Sequence, residues 1–325
     1  MRFPKSLRRS FLSFIAIAFA VTANGQSVEY QQDGVTLKIK TIDIEVRAEK
    51  PFSILHVSDS HLALADNRND ERKVKLSAKR TKIFGDSYSK IESLRNFAKD
   101  NNLMIVHTGD LLDFVSEANI DSAVKLFSEG EWIVCAGNHE YSLYVGEARE
   151  DDAYRAQSYD KVQKAYPNDL TFYSRVINGV NFVTLDNGYY KFSKEQFSKM
   201  KQEVKKGLPI IMVCHNPLYT PDLCDYNLKA SNGKAAYLVG VPRKITDTYA
   251  HKPRPKGEEW RNRSVQQHAD KTTMRFVKWL KKQKQLKAIL CGHCHVNYKT
   301  QFSPTAVQYT VAAGYKGNAY IVNIR

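Results

Sequence analysis

Disulfides, repeats and membrane spans have little support in this chain. Its five cysteines (Cys135, Cys214, Cys224, Cys291 and Cys294) are an odd set without framework spacing, which argues against a disulfide scaffold. Cys135, Cys214 and Cys291 sit in apolar strand-like runs, where buried free thiols are common. Cys291 and Cys294 have redox-pair spacing but follow a strand with no evident helix start, which disfavours thiol exchange. Sixteen glycines and ten prolines are too few for a collagen or low-complexity chain. No internal repeat and no Ser/Gly-rich linker divides the sequence. Acids are also in deficit, 34 against 49 Lys and Arg, giving a formal charge of +15. What is abundant is core material: 11 % aromatic residues exclude disorder as the main theme. A chain of 325 residues can bury roughly 75 % of its unfolded surface without covalent staples.

The N-terminus reads as a secretory signal. Lys5, Arg8 and Arg9 form a positive start, and Phe11 to Val21 is an apolar run too short for a comfortable membrane span. The small residues Ala20, Thr22, Ala23 and Gly25 follow, with cleavage expected after Ala23 or Gly25. An uncleaved anchor is the less favoured alternative, and no cysteine marks a lipoprotein site. Removal of residues 1–25 takes four cations and no acids, lowering the charge from +15 to +11. The remaining chain has no other run long enough to span a bilayer. A periplasmic or secreted protein with a taste for anionic partners is the expectation.

Short apolar strands then alternate with helical patterns. Strands are expected at Val35–Val46 (two short runs), Phe52–Val57, Leu103–His107, Trp132–Cys135, Asn181–Leu185, Ile210–Cys214 and Ala288–Cys291, with two more within Val307–Ile324. Helical patterns lie near Lys90–Lys99, Asp121–Glu129, Lys194–Lys206 and Thr273–Gln285. Asn178-Gly179 is a strong hairpin signal. The alternation predicts an α/β protein with antiparallel additions, in one domain over residues 26–325. Two stretches read as insertions, polar Ala65–Ser87 and proline-bearing, basic Leu218–Lys271, each either a lid or a solvated excursion.

Five polar clusters close apolar strands, in order along the chain. They are Asp59-Ser60-His61, Gly109-Asp110, Gly137-Asn138-His139-Glu140, His215 and Gly292-His293-Cys294-His295. Ligands of open α/β sheets gather at the carboxyl ends of strands, so all five clusters can share one rim. His56 and His107 lie inside the strand runs and read as core histidines. Taken singly each cluster is weak evidence; five in order leave little to chance. Mixed imidazole and carboxylate donors suit zinc, iron or manganese, and there are too many for one tetrahedral ion. Two ions about 3.5–4 Å apart can clamp a phosphate and lower the pKa of a bound water to about 7, giving the hydroxide of phosphoester hydrolysis.

From Phe52 to Tyr298 these clusters resemble the calcineurin-like metallophosphoesterases, whose pattern is Asp-x-His, Gly-Asp, Gly-Asn-His-Asp/Glu, His and Gly-His-x-His. The resemblance implies a four-layer αββα sandwich with two mixed β-sheets. It implies that Asp59, His61 and His295 hold one divalent transition-metal ion (manganese, iron or zinc). Asn138, His215 and His293 would hold a second, with Asp110 between them. His139 would face the substrate as acid, and Asp113 matches an aspartate that pairs with this histidine in the protein-phosphatase branch. Helix-start stabilisation is the bland reading of Asp113. Glu140 would orient its loop. Phe114 and Ala136 stand where that branch has arginines, which argues against a protein phosphatase. Asp113 stands where purple acid phosphatases carry tyrosine, which argues against a tyrosinate-iron site.

The expected activity is hydrolysis of a small-molecule or lipid phosphoester, as a phosphodiesterase or phosphomonoesterase. An exported nuclease or nucleic-acid-binding protein is the alternative, carried by the charge and by basic Arg243–Lys271 with Tyr249 and Trp260 as stacking residues. A non-catalytic binding module on the same fold is disfavoured by the complete ligand set. Tyr219, Tyr226, Tyr237 and Trp260 are expected to pack the second insertion onto the domain rather than to stack on a ligand.

Overall fold

A computed structural model describes residues 27–145, 151–250 and 267–325. The expected leader, Trp260 and most of the basic stretch after Ala250 lie outside the described residues.

Side-chain alternation along the strands sets the layering. In β3 (Phe52–Val57), Ile54 faces one way and Leu55 the other; in β4 (Met104–His107), Val106 and Ile105 divide likewise. Ile54 and Val106 join Phe182, Ile211, Val213, Ala288, Leu290 and Val322 in a core between two sheets. Leu55 and Ile105 pack outward with Leu94 and Phe97 of α2 (Ser87–Asp100) and Leu126 of α3 (Glu117–Phe127). On the far side, Val183, Met212 and Ile289 pack on Met200 of α6 (Lys194–Lys205) and on Phe276 and Leu280 of α9 (Lys271–Leu280). Four layers result, helix–sheet–sheet–helix. Strands buried on both faces need apolar residues at every position, which is why they read as short unbroken runs.

The described residues form two six-stranded sheets. The first has the order β1-β2-β12-β3-β4-β5, adding β1 (Ser27–Gln32), β2 (Val35–Ile44), β5 (Trp132–Val134) and β12 (Asn318–Ile324). β12 is inserted between β2, its parallel neighbour, and β3, its antiparallel one, so the C-terminus completes the N-terminal sheet. The second has the order β10-β11-β9-β8-β7-β6. Its strands are β6 (Phe172–Ile177), β7 (Val180–Leu185), β8 (Ile210–Val213), β9 (Leu286–Cys291), β10 (Tyr298–Ser303) and β11 (Ala306–Thr310). Asn178 and Gly179 close the β6–β7 hairpin, both with positive φ (45° and 76°), as the two-residue turn requires. The expected two runs in Val35–Val46 form one strand, β2.

Strands β3, β4, β8 and β9 run parallel to their sequence-adjacent partners, with β5 beside β4. Their carboxyl ends therefore open on a common rim. Within polar residues 65–87 the chain forms α1 (Glu71–Phe84), capped by Asp70 accepting from the Lys73 amide. Within 218–250 it forms α7 (Pro221–Ala230) and α8 (Arg243–Ala250) around their own small core of Leu223, Cys224, Leu238, Val241 and Tyr249. Among the described residues no helix is long and apolar enough to cross a membrane.

Candidate metal centre

The five strand-end clusters meet. Asp59, His61 and His295 bring donor atoms within 4.8 Å of one another, and Asp110, His215 and His293 do the same. Asp110 also clusters with His61 and His139, so the two groups are contiguous. His61 Nε2 and His295 Nε2 are 3.2 Å apart, as are His293 Nδ1 and His215 Nε2. The loops that carry them are laced together: the His61 amide donates to Asp110 O (2.9 Å) and the His293 amide to Asp59 Oδ2 (2.9 Å). Asp59, His61, Asp110, His293 and His295 all have left-handed backbones, φ between 48° and 67°. Each such non-glycine residue costs about 1 kcal/mol or more and persists only where its surroundings enforce it.

The far nitrogens of three histidines are held. His215 Nδ1 donates to Thr108 O at 2.7 Å, His61 Nδ1 to Asp113 Oδ1 at 3.0 Å, and His293 Nε2 is hydrogen-bonded to Tyr190 Oη at 2.6 Å. Such bonds fix the tautomer and leave the other nitrogen to a metal. Asn138 Oδ1 is buried without a protein partner, although nearly every buried polar atom has one. The donor set, the fixed rings and this orphaned oxygen fit divalent cations.

Electrostatics agree. Burial would raise the Asp59 and Asp110 carboxyls, but His295 and His215 outweigh it and hold both below the usual range. Burial would lower His215, yet Asp110 at 3.2 Å lifts it to about 10. His293 is pushed down to about 3 by burial and by the neighbouring His215. The carboxylates thus hold protons on nearby imidazoles, and cation binding would displace them.

His139 is placed differently. Its Nδ1 lies 2.8 Å from Asp113 O and 3.2 Å from Asp113 Oδ1, and its amide donates to Asp110 Oδ1. Burial opposes its charge, but Asp110 and the Asp113 bonds raise it to about 9. Asp113 is itself fully buried and gripped by Arg80, Nε to Oδ2 at 2.6 Å and Nη2 to Oδ1 at 2.7 Å. Glu140 accepts from the Asp110, Leu111 and Gly137 amides and from Tyr166 Oη, the loop-orienting role expected of it. Burial and Asp110 push its carboxyl up to about 7.

His56 and His107 are core residues as read. Both are fully buried, bonded to Thr108 and Ser60, and lowered to about 3, chiefly by burial. All five cysteines are free, and Cys214 and Cys291 lie 3.6 Å apart between strands. Tyr249 is fully buried, so it offers no face to a base, and that expectation is corrected. Tyr219 and Tyr237 pack on the insertion core. Tyr226 pairs with Tyr298 and, with Tyr237, lines a cavity of about 600 Å³ that reaches His293 and His295.

Sequence reading missed Arg80, Phe84 and Tyr190. Phe84 stacks flat on the His61 ring, centroids 4.5 Å apart, and the Arg80 guanidinium lies 4.7 Å over Phe84. Their i, i+4 spacing in a capped, lysine-rich helix was the available signal. Tyr190 follows a turn after β7 and carried none.

A sequence profile described as calcineurin-like phosphoesterase matches residues 52–297. The chain therefore belongs to that family. It is a metal-dependent phosphoric ester hydrolase. No curated protein matches the sequence. Among solved structures it is similar to a dimetal phosphatase from Danio rerio (11 % identity, 82 % of this chain and 88 % of that one, TM-score 0.43). It is also similar to a protein described as a 5'-nucleotidase from Staphylococcus aureus (11 % identity, 82 % and 49 %, TM-score 0.42). A third is the phosphopantetheinyl hydrolase of Mycobacterium tuberculosis (12 % identity, 84 % and 91 %, TM-score 0.38). The chain spans about half the length of the nucleotidase.

Proposed function

We propose that the protein is an exported hydrolase of small-molecule or lipid phosphoesters that works with two divalent transition-metal ions. Asp59, His61 and His295 would hold one ion, Asn138, His215 and His293 the other, and Asp110 would serve both. The observation that carries this reading is the meeting of two contiguous donor groups at one rim, with Asp110 common to His61 on one side and His215 on the other. Bound there, the ions would supply charge neutralisation at the phosphate and a nucleophilic water at neutral pH.

The chain's own residues set the rest. Asp113 holds His139 by Nδ1, which leaves Nε2 to carry a proton to the leaving oxygen. Arg80 and His61 hold Asp113 in turn. Export is supported by the leader-like residues 1–25.

The test is hydrolysis of bis-p-nitrophenyl phosphate and p-nitrophenyl phosphate by protein purified with manganese. Loss of activity on either ester in His139→Ala and Asp110→Asn is the expected outcome. Full activity in either variant would sink the assignment. The preferred ester tells diesterase from monoesterase.

A further inference from the structure

We propose that Asn187 and Asn216 are positioning residues for the second ion. Their mutual clasp locks the loop of residues 186–190 onto the three donors of that ion, so that it, and not the first ion, depends on them; this rests on the two-ion assignment above. The loop follows β7, which runs parallel to β8, and therefore opens on the rim of the metal centre while supplying none of the assigned donors. Both asparagines are buried. Asn187 Nδ2 donates to Asn216 O at 2.7 Å, and Asn187 Oδ1 accepts from the Asn216 amide at 2.9 Å. In return Asn216 Nδ2 donates to Asn187 O and to Gly188 O, both at 2.9 Å. A buried donor that loses its partner carries its full desolvation penalty, so these bonds hold the two loops in one register.

The clasped loop reaches a support of each of the three donors, which come from three different strands. Asn216 directly follows His215, so its backbone bonds set how that histidine leaves β8. Gly188 lies against the Gly137–Asn138 peptide after β5; a Cβ there would be 2.8 Å from Gly137 O and 2.9 Å from the Asn138 amide nitrogen. The Tyr190 amide donates to Asn187 O at 2.8 Å, and Tyr190 Oη is the partner of His293 Nε2, after β9. The base of the loop is pinned by Asp186. Its Oδ1 accepts from the Gly188 amide at 2.9 Å, and its Oδ2 lies 2.9 Å from Arg155 Nη1 of α4 (Asp152–Ala156). The first donor group takes its support from other loops. Asp113 and the Asp110 carbonyl hold His61, and the Asp59 amide donates to Gly109 O at 3.0 Å. Outer contacts that orient metal ligands tune affinity for the ion they serve, so loosening this clasp acts on one ion of the pair.

The experiment is a manganese titration by equilibrium dialysis of the protein starting at Gln26, the form expected after leader removal. Electron paramagnetic resonance tells a coupled pair of bound ions from an isolated one. Wild type is expected to hold two ions per chain. Asn187→Ala and Asn216→Ala should each weaken one of them about 10–100-fold and leave the other unchanged, so that the signal of an isolated ion replaces that of the pair. Asn216→Ala leaves the Asn216 amide paired with Asn187 Oδ1, which keeps the test open if Asn187→Ala does not fold. Because both side chains act through one clasp, N187A/N216A should lose no more affinity than the worse single variant. Asn181→Ala is the structural control. It removes another buried amide bond, Nδ2 to Glu203 Oε2 at 2.7 Å, from the opposite end of β7. It should lower Tm as the clasp variants do, yet leave both affinities unchanged. Two tightly held ions in the clasp variants, an equal weakening of both ions, or the same selective loss in Asn181→Ala would each overturn the proposal while the two-ion assignment stands. A wild-type protein that holds a single ion would overturn the assignment and the proposal together.

Discussion

Replacing Gly292 by alanine tests whether the metal centre depends on close approach of two loops. A Cβ on Gly292 would lie 1.7 Å from Ser58 Oγ, 2.6 Å from Ser58 Cβ and 2.5 Å from Asp59 Oδ2. Carbon in contact needs about 3.5 Å, so a gap of about 1 Å must open against groups that cannot all rotate away. The Ser58 hydroxyl can turn, but its Cβ cannot. Moving Asp59 breaks its bond to the His293 amide. Moving the 292–295 loop instead carries His293 and His295 with it, one from each donor group. Either way both groups lose their spacing. A displacement of this size costs about a hundredfold in rate, and disturbed ligand support costs about 10–100-fold in metal affinity. The assay is manganese content after dialysis, together with kcat on p-nitrophenyl esters, with the far-UV spectrum and Tm as folding controls. A folded Gly292→Ala protein with unchanged metal content and kcat would refute the reasoning.

Other consequences follow from single contacts. Tyr190→Phe removes the hydrogen bond on His293 Nε2 and should lower manganese affinity about 10–100-fold with little change in Tm; unchanged affinity in a metal titration would show that the bond does not orient the ligand. Arg80→Met removes both guanidinium bonds from the buried Asp113 carboxylate, and urea unfolding should report a loss of about 3 kcal/mol; a loss under about 0.5 kcal/mol would place the pair among exposed, weak ones. Phe182→Ala, in the core between the sheets, should cost about 3–5 kcal/mol by the same measurement, and a much smaller cost would mean that the two sheets close over the cavity.

Much of the site was legible because its chemistry is local. The candidate ligands Asp59, Asp110, His215 and His293 follow strands of four to six largely apolar residues, and such runs become buried strands wherever they fall in the fold. Asp59, Asp110, His215 and His293 could thus be singled out as candidates at strand ends, with their roles implied by the family resemblance, and the core status of His56 and His107 followed from their place inside the runs. Asn178-Gly179 fixed its hairpin for an equally local reason, the left-handed backbone both residues accept.

Sequence by itself determined most of the strands, though not β1 or β10, and with them the order of the donor residues and their place at strand ends, because burial period and residue chemistry act within a few positions. Tertiary structure brought the donors within reach of one another, since Asp59 and His295 are 236 positions apart and meet through sheet order. It placed β12 between β2 and β3, a pairing that rests on backbone hydrogen bonds and carries no side-chain signature. It also turned Arg80, Phe84 and Tyr190 into supports of the site. Their residue types are common in helices and turns, and only the surface each one packs against gives it a role.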